Sequence, residues 1–411
     1  MKKVIKQVAA IGAAGALLAA GVAFSQAKVS DGIVKIGVLT DLSGLYSDLA
    51  GPGSVLAAQM AIDDFRAETK GGAPFKIEIV SADHLNKGDI AANRAREWFE
   101  RDNVDMIADL VTTSTALAVM PIAQKLGKIT IVSGAASTLI TNEQCTENNV
   151  HWTYDTYALA NGTGRAVVKQ GGDSWYFLTA DYAFGHSLEK DTGAVVQASG
   201  GKVLGAVRHP FPGTDFSSFL LKAQASGAKV IGLANAGTDT TNSIRQASEF
   251  GITPKQQLAG LLMFVSDVHS LGPKVAGGMY LTETFYWDLN EQTRAWSKRF
   301  FDKQKRMPTM VHAGVYSGVL HYLRSVAATG TDDAKAVMGR MRATPVNDFF
   351  APGARIREDG RLIKDAYLFQ VKTPAESKGP WDLYHLRQTI PADQAWQPLA
   401  DSRCALVTKK K

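Results

Sequence analysis

Several things are scarce in this 411-residue chain, and each scarcity removes a class of function. There are only two cysteines, Cys145 and Cys404, far apart and in no Cys-x-x-Cys pair. The eight histidines are scattered, and His151, His186 and His209 each read as loop or surface residues. No Gly-x-Ser-x-Gly elbow, His-Glu-x-x-His pair or Walker-type phosphate loop is present, which argues against seryl hydrolysis, metal-assisted hydrolysis and nucleotide chemistry. No metal and no cofactor are expected. Lysine and arginine form no stripe, so nucleic acid is not an expected partner. Repeats are absent, which disfavours a structural or adhesive role. Beyond residue 24 no run is apolar enough to span a bilayer.

The one long apolar run, residues 8–24, follows Lys2, Lys3 and Lys6 and ends at Ser25-Gln26-Ala27. A basic start, an apolar stretch and small residues at both inspected positions are the marks of a secretory leader, with cleavage expected after Ala27. No cysteine lies near that point to carry a lipid. The expected product is a periplasmic monomer with no stable membrane insertion. Without the three leader lysines the formal net charge falls from +6 to +3. The remaining ~380 residues suit two domains of ordinary size. Export makes a disulfide between Cys145 and Cys404 the expected state of the two thiols.

From residue 33 the pattern is strand, helix, strand, helix, which predicts α/β architecture with parallel sheets covered on both faces. The first strand is placed at 33–39 and its exit loop at 40–44. A helix follows from Gly51, with Val55, Ala58, Ile62 and Phe65 at helical spacing. Residues 75–80 form the next strand, and Asp89 is expected to cap a helix over 90–101. A break at 141–149 precedes a second, similar half. That half has helix 157–170, strand 174–180, exit loop 181–185 and helix 186–199. It continues with strand 202–208, helix 216–226, strand 229–234, helix 241–250, and strands 258–262 and 278–281. Helices at 292–305, 311–329 and 333–342 read as completing the cover of the first half. A strand at 366–372 is followed by a polar tail with little periodicity.

Residues 108–138 carry the clearest functional signal. A strand over 104–110 runs directly into Thr112, Thr113 and Ser114, one of which is expected to cap helix 115–126. A second strand, 128–132, ends in the small-residue turn Ser133 to Thr138, including Ala135, Ala136 and Ser137. Two adjacent strand ends thus bring hydroxyls, bare backbone N–H groups and a helix N-terminus to one sheet edge. That edge is where open α/β sheets bind ligands, and such N–H groups favour an anion. A carboxylate is the simplest guest.

The stretches IVKIGVLTDLSGLYSDLAGPG, VTTSTALAV, IVSGAASTLIT, LTADYAFGHSLEKD, PFPGTDFSSFLLKAQASGAKVI and SIRQASEFGI, in this order, carry a resemblance. The chain resembles the type I periplasmic solute-binding proteins of the branched-chain amino-acid family, up to about residue 330. The resemblance implies two doubly wound lobes joined by a three-stranded hinge, with crossovers near Thr153, near Thr282 and near 350–357. It divides the chain into leader 1–27, lobe 1 at 28–152 and 283–349, lobe 2 at 153–282 and 350–380, and a tail at 381–411. It implies permease subunits of an ABC transporter as partners; a sensor presenting solute to a membrane receptor would use the same trap. Its carboxylate site falls on Thr112, Thr113 or Ser114, with Ala135 and Ser137.

Two departures bear on the ligand. Phe184 stands where amino-acid binders of this kind usually carry a tyrosine, with Tyr182 two residues before it. The acidic residue that meets a ligand ammonium is missing from residues 262–265, and the next carboxylate is Asp267. Asp239, in the loop 235–240 that begins with Asn235, is a possible substitute or simply a helix cap. Tyr154, Tyr182, Phe184, Met263, Phe264 and Phe285 or Tyr286 are expected at cleft-facing strand ends. An unpaired buried cation is costly. The expected ligand is therefore a small organic acid with an aromatic or acyl body; a branched-chain or other amino acid is the alternative.

Overall fold

The computed structural model describes residues 28–253 and 255–409. The expected leader lies outside the described residues. Strands β1 (Ile33–Thr40), β2 (Lys76–Asp83), β3 (Met106–Asp109), β4 (Ile129–Val132) and β5 (Asn149–His151) form one parallel sheet in the order β2-β1-β3-β4-β5. β3, β4 and β5 are buried along their whole length, as strands covered on both faces must be. Parallel register sets Leu39 beside Asp109 and Asp109 beside Val132. The chain segments that leave β1, β3 and β4 therefore emerge together.

A second parallel sheet contains β6 (Ser174–Ala180), β7 (Lys202–His209), β8 (Val230–Ala234) and β9 (Gln257–Gly260), in the order β7-β6-β8-β9. β7 lies at its edge and carries exposed Lys202 and Arg208, charges that discourage pairing with another chain. β10 (Tyr280–Glu283) then belongs to an antiparallel sheet. The short strands β11 (Arg355–Ile356) and β12 (Leu362–Ile363) form a hairpin, and Arg361 bridges His151 at the edge of the first sheet. β13 (Ala366–Val371) lies between β10 and β14 (Tyr384–Ile390). The polar tail thus holds a full strand. The sequence does not reveal it because β14 is an edge strand whose residues Leu386 to Thr389 are exposed on both faces and show no apolar alternation.

The helix Met310–Thr329 is apolar nearly all round and packs against the helix Gly51–Glu68 beneath the first sheet. Close approach demands small residues on it. A Cβ at Gly318 would stand 2.7 Å from the Ile131 side chain, and one at Gly314 2.0 Å from the Thr153 hydroxyl. The chain crosses between the sheets after β5, after β10 and after β12. Buried basic side chains tie these passages. Arg361 Nη1 donates to the Tyr154 carbonyl at 2.9 Å, and Lys364 Nζ donates to the Thr284 carbonyl at 2.5 Å. Arg361 also lies over the Trp396 ring, 4.1 Å from its centroid, and a Cys145–Cys404 disulfide secures the C-terminal segment.

Several boundaries differ from expectation for local reasons. Lys87 is the N-cap of the helix Gly88–Glu100, and Asp89 falls in its first turn instead. Helices begin at Ala183 and Thr238, about one turn before the apolar periodicity becomes visible. The expected helix 157–170 contains a π turn, Ala160–Gly164, between two α segments. A Cβ at Gly162 would lie 2.2 Å from the Thr282 hydroxyl, so the turn passes tightly against β10. The helix Val265–Leu271 was not anticipated; Asp267 accepts the Phe264 N–H at its start, 3.0 Å away.

Candidate functional site

Each sheet has one point where the strand order reverses: between β1 and β3 in the first, between β6 and β8 in the second. Loops diverge there and leave a crevice at the carboxyl ends of the strands. The two crevices face each other around a small cavity. From the first sheet, Tyr46 and Leu49 follow β1, Val111 and Thr113 follow β3, and Gly134 and Ala136 follow β4. From the second, Tyr182 and Phe184 follow β6, Ala236 follows β8, and Leu262 and Phe264 follow β9. Tyr154, just after β5, completes the lining.

The wall formed after β3 presents the start of a helix. Thr113 opens the helix Thr113–Lys125, and Thr112 is its N-cap. The expected side-chain cap is not made; the Thr112 hydroxyl is turned to Asn86, donating to Oδ1 at 2.9 Å. The first N–H groups of the helix have no intrahelical acceptor and carry the positive end of its dipole. Asn86 Nδ2 in turn donates to Asp41 Oδ2 at 2.6 Å, and Asp41 accepts the backbone N–H groups of Gly44 and Tyr46. That network locks the loop after β1 and sets Tyr46 over the cavity.

The rest of the wall is rings and aliphatic groups. The Tyr46 and Tyr182 hydroxyls meet across the cleft at 2.8 Å. Tyr182 stacks on Phe211 with centroids 4.0 Å apart, and Tyr154 meets Phe264 edge-on. The Tyr154 hydroxyl donates to the Gly134 carbonyl at 2.5 Å. Burial, first of all, pushes the phenol pKa of Tyr46, Tyr154 and Tyr182 upward, so all three stay neutral at physiological pH.

Of the residues singled out from the sequence, Thr113, Ala136, Tyr154, Tyr182, Phe184 and Phe264 line the cavity. The others do not. Thr112 is held by Asn86, Ser114 lies further along the helix, and Ala135 is buried behind the turn. The Ser137 hydroxyl is 2.6 Å from that of Ser187, linking the two sides of the cleft. Asn235 is absorbed by His209, Ser243 and Thr240, and Met263 packs in the core beneath Gly260. Asp239 accepts the Gly213 N–H at 3.1 Å through Oδ1, while Oδ2 has no partner among the described residues. Burial pushes its carboxyl up to about 7. Phe285 packs on Trp296, and the Tyr286 hydroxyl donates to the Trp381 carbonyl, so neither reaches the cavity. Missed from the sequence were Tyr46, Leu49, Val111, Gly134, Ala236 and Leu262. The first two lie in the loop leaving the first strand, which the reversal at β1 and β3 makes a cavity wall.

Two α/β units closed over a small, mostly apolar cavity with an anion-favouring edge define a solute-binding protein. The chain belongs to the periplasmic binding protein family, whose profile matches residues 33–380. A periplasmic binding protein of Burkholderia mallei has 50% sequence identity and a TM-score of 0.89, covering 92% of this chain and 99% of that one. A branched chain amino acid ABC transporter periplasmic ligand-binding protein of Burkholderia xenovorans LB400 has 37% identity and a TM-score of 0.80, covering 91% and 100%. A solute-binding protein of an R. palustris ABC transporter, solved with benzoate, has 20% identity and a TM-score of 0.75, covering 87% and 96%; that likeness is one of fold. The protein is thus an ABC-transporter solute-binding protein and not an enzyme. Among the described residues no helix is long and apolar enough to cross a membrane.

Proposed function

We propose that the protein, exported and cleaved after Ala27, captures a small carboxylic acid with an aromatic or acyl body and delivers it to the permease subunits of an ABC importer. The observation that carries this reading is the lining of the cavity. No acidic or basic side chain is among its residues, while rings and aliphatic groups surround the uncapped start of the helix Thr113–Lys125. An anion is favoured at that end, and a free ammonium has no carboxylate in the lining to meet it. Residues 28–152 with 283–363 would form one lobe and 153–282 with the strands from β13 onward the other. The third crossing then falls at 364–366 rather than 350–357.

The energetics are adequate. Hydrogen bonds to a charged group contribute roughly 1.5–3 kcal/mol each. Burying an aromatic body adds about 1.5–3 kcal/mol. Three such bonds at the upper end plus the body give up to about 12 kcal/mol before ordering costs, against the ~8 kcal/mol of a micromolar ligand. The test is a thermal-shift screen of the mature protein against benzoate, 4-hydroxybenzoate, branched aliphatic acids and leucine. A ligand at a hundred times its Kd adds about 2.7 kcal/mol of stability. Stabilisation by acids and not by leucine is the expected result; stabilisation by leucine alone overturns the reading.

The amino-acid alternative has one observation in its favour, the unpartnered Oδ2 of buried Asp239. Under the acid reading Asp239→Asn leaves affinity within about threefold. Loss of an ammonium partner would weaken binding far more, since stranding a buried charge costs about 3–5 kcal/mol.

A further inference from the structure

Behind the cavity lies a buried acid that the binding reading leaves unused. Asp109 ends β3 and is fully buried, and its carboxyl meets only hydroxyl groups among the described residues. These are the hydroxyls of Thr40, at the end of β1, and Ser54, on the helix Gly51–Glu68, both buried and with no other partner there. The backbone here is unusual. Asp109 and Leu110 are consecutive non-glycine residues in the left-handed region, at φ of 80° and 54°. Such conformations gather at functional sites.

The place of this acid relative to the cavity is set by Gly134. A Cβ at position 134 would stand 2.9 Å from Asp109 Oδ1 and 2.6 Å from the Val111 Cα. Only glycine lets the turn after β4 lie so close, so the carboxyl sits directly behind the stretch of cavity wall that Gly134 forms. An ionised Asp109 beside a solute carboxylate would place two negative charges together in a dry site, an arrangement that drives one of them to take a proton.

We propose that Asp109 is a ligand-linked proton site: it is protonated when a carboxylate occupies the cavity, so that the anion is captured together with one proton. This rests on the proposal that the carboxylate lies at the start of the helix Thr113–Lys125. The groups facing Asp109 are the hydroxyls of Thr40 and Ser54, the carboxylate of Asp41 in the loop after β1 and the neutral phenol of Tyr154. No cation acts on it among the described residues. Burial, with a smaller push from Asp41, raises the carboxyl of the empty protein to about 6; the Thr40 and Ser54 hydroxyls offset part of the rise. Above that pH the empty site is mostly ionised, and binding must draw a proton from solvent.

The experiment is calorimetric titration of the mature protein with benzoate at pH 7, in buffers of different ionisation enthalpy. Uptake of about 0.9 proton per benzoate is expected, with affinity falling about tenfold from pH 7 to pH 8. In Asp109→Asn, which keeps the volume and tolerates positive φ, uptake should vanish and affinity should become flat over this range. Binding of benzoate with no uptake, with proton release, or with uptake persisting in the variant overturns the proposal. A ligand-free arm separates the two readings. A raised folded pKa means that stability from Asp109 is present at low pH and lost as pH rises through about 6. The melting temperature of Asp109→Asn should therefore gain on that of the native chain between pH 4 and 6.5. If benzoate fails to bind from pH 5 to 8, the benzoate reading falls while a growing gain still supports the proton site. A gain that is flat with pH overturns Asp109 as a proton site whatever the ligand.

Discussion

Tyr46 and Tyr182 offer a sharp test of how the cleft is held shut. Their hydroxyls meet at 2.8 Å, one from the loop after β1 and the other from the end of β6. Tyr46 is buried and Tyr182 half-buried, and each hydroxyl faces the other rather than solvent in the closed form. Tyr46→Phe removes one partner and leaves the hydroxyl of half-buried Tyr182 unpaired. The penalty for such stranding is about 1–3 kcal/mol, and the reverse change strands Tyr46 in the same way. In an open form both phenols would face water, so the penalty falls on closure and is read in ligand affinity. Each single variant should bind about 5- to 150-fold more weakly. The double variant has no stranded group and should bind about as well as either single variant or better. Calorimetry on native, single and double variants closes the cycle, with the best stabilising acid as probe. Additive losses, with the double variant weakened by the product of the two single effects, would refute the claim that these hydroxyls satisfy one another across the cleft.

Other outcomes follow from the same structure. Phe184→Ala removes a ring from the cavity wall and should weaken a small acid about ten- to hundredfold, while ranking bulkier acids higher in a competition assay. Replacing Cys145 and Cys404 by alanine opens a loop of 259 residues, with an upper bound of about 5 kcal/mol in the chain-entropy estimate; the melting temperature should fall, and reductant should no longer affect it. Burial pushes the Lys364 ammonium down to about 7, so the native chain should gain stability as pH rises from 7 toward 10. Lys364→Met should lose that gain, which differential calorimetry at the two pH values will show.

The sequence by itself determined the elements and their class. Strand-to-helix alternation, apolar spacing and glycine punctuation are local, and they placed the strand Ser174–Ala180 to the residue and the central helices to within a turn. The chemistry of residues 112–137 was legible for the same reason, since hydroxyls and small residues at two strand ends need no tertiary partner to be noticed. Which of those residues reach the cavity was decided only by the fold. Thr112 and Ser137 look equivalent to Thr113 and Ala136 along the chain, yet Asn86 and Ser187, brought in from other segments, occupy their hydroxyls. Tyr46 became a wall because the strand order reverses beside β1, and a reversal is a property of the whole sheet. Asp109 reads as one polar residue at a strand end. Its isolation comes from Gly134, β1 and the helix Gly51–Glu68 closing around it, which no local pattern records. Periodicity reports what each segment buries, whereas partners and burial at a site depend on segments far apart in the chain meeting in space.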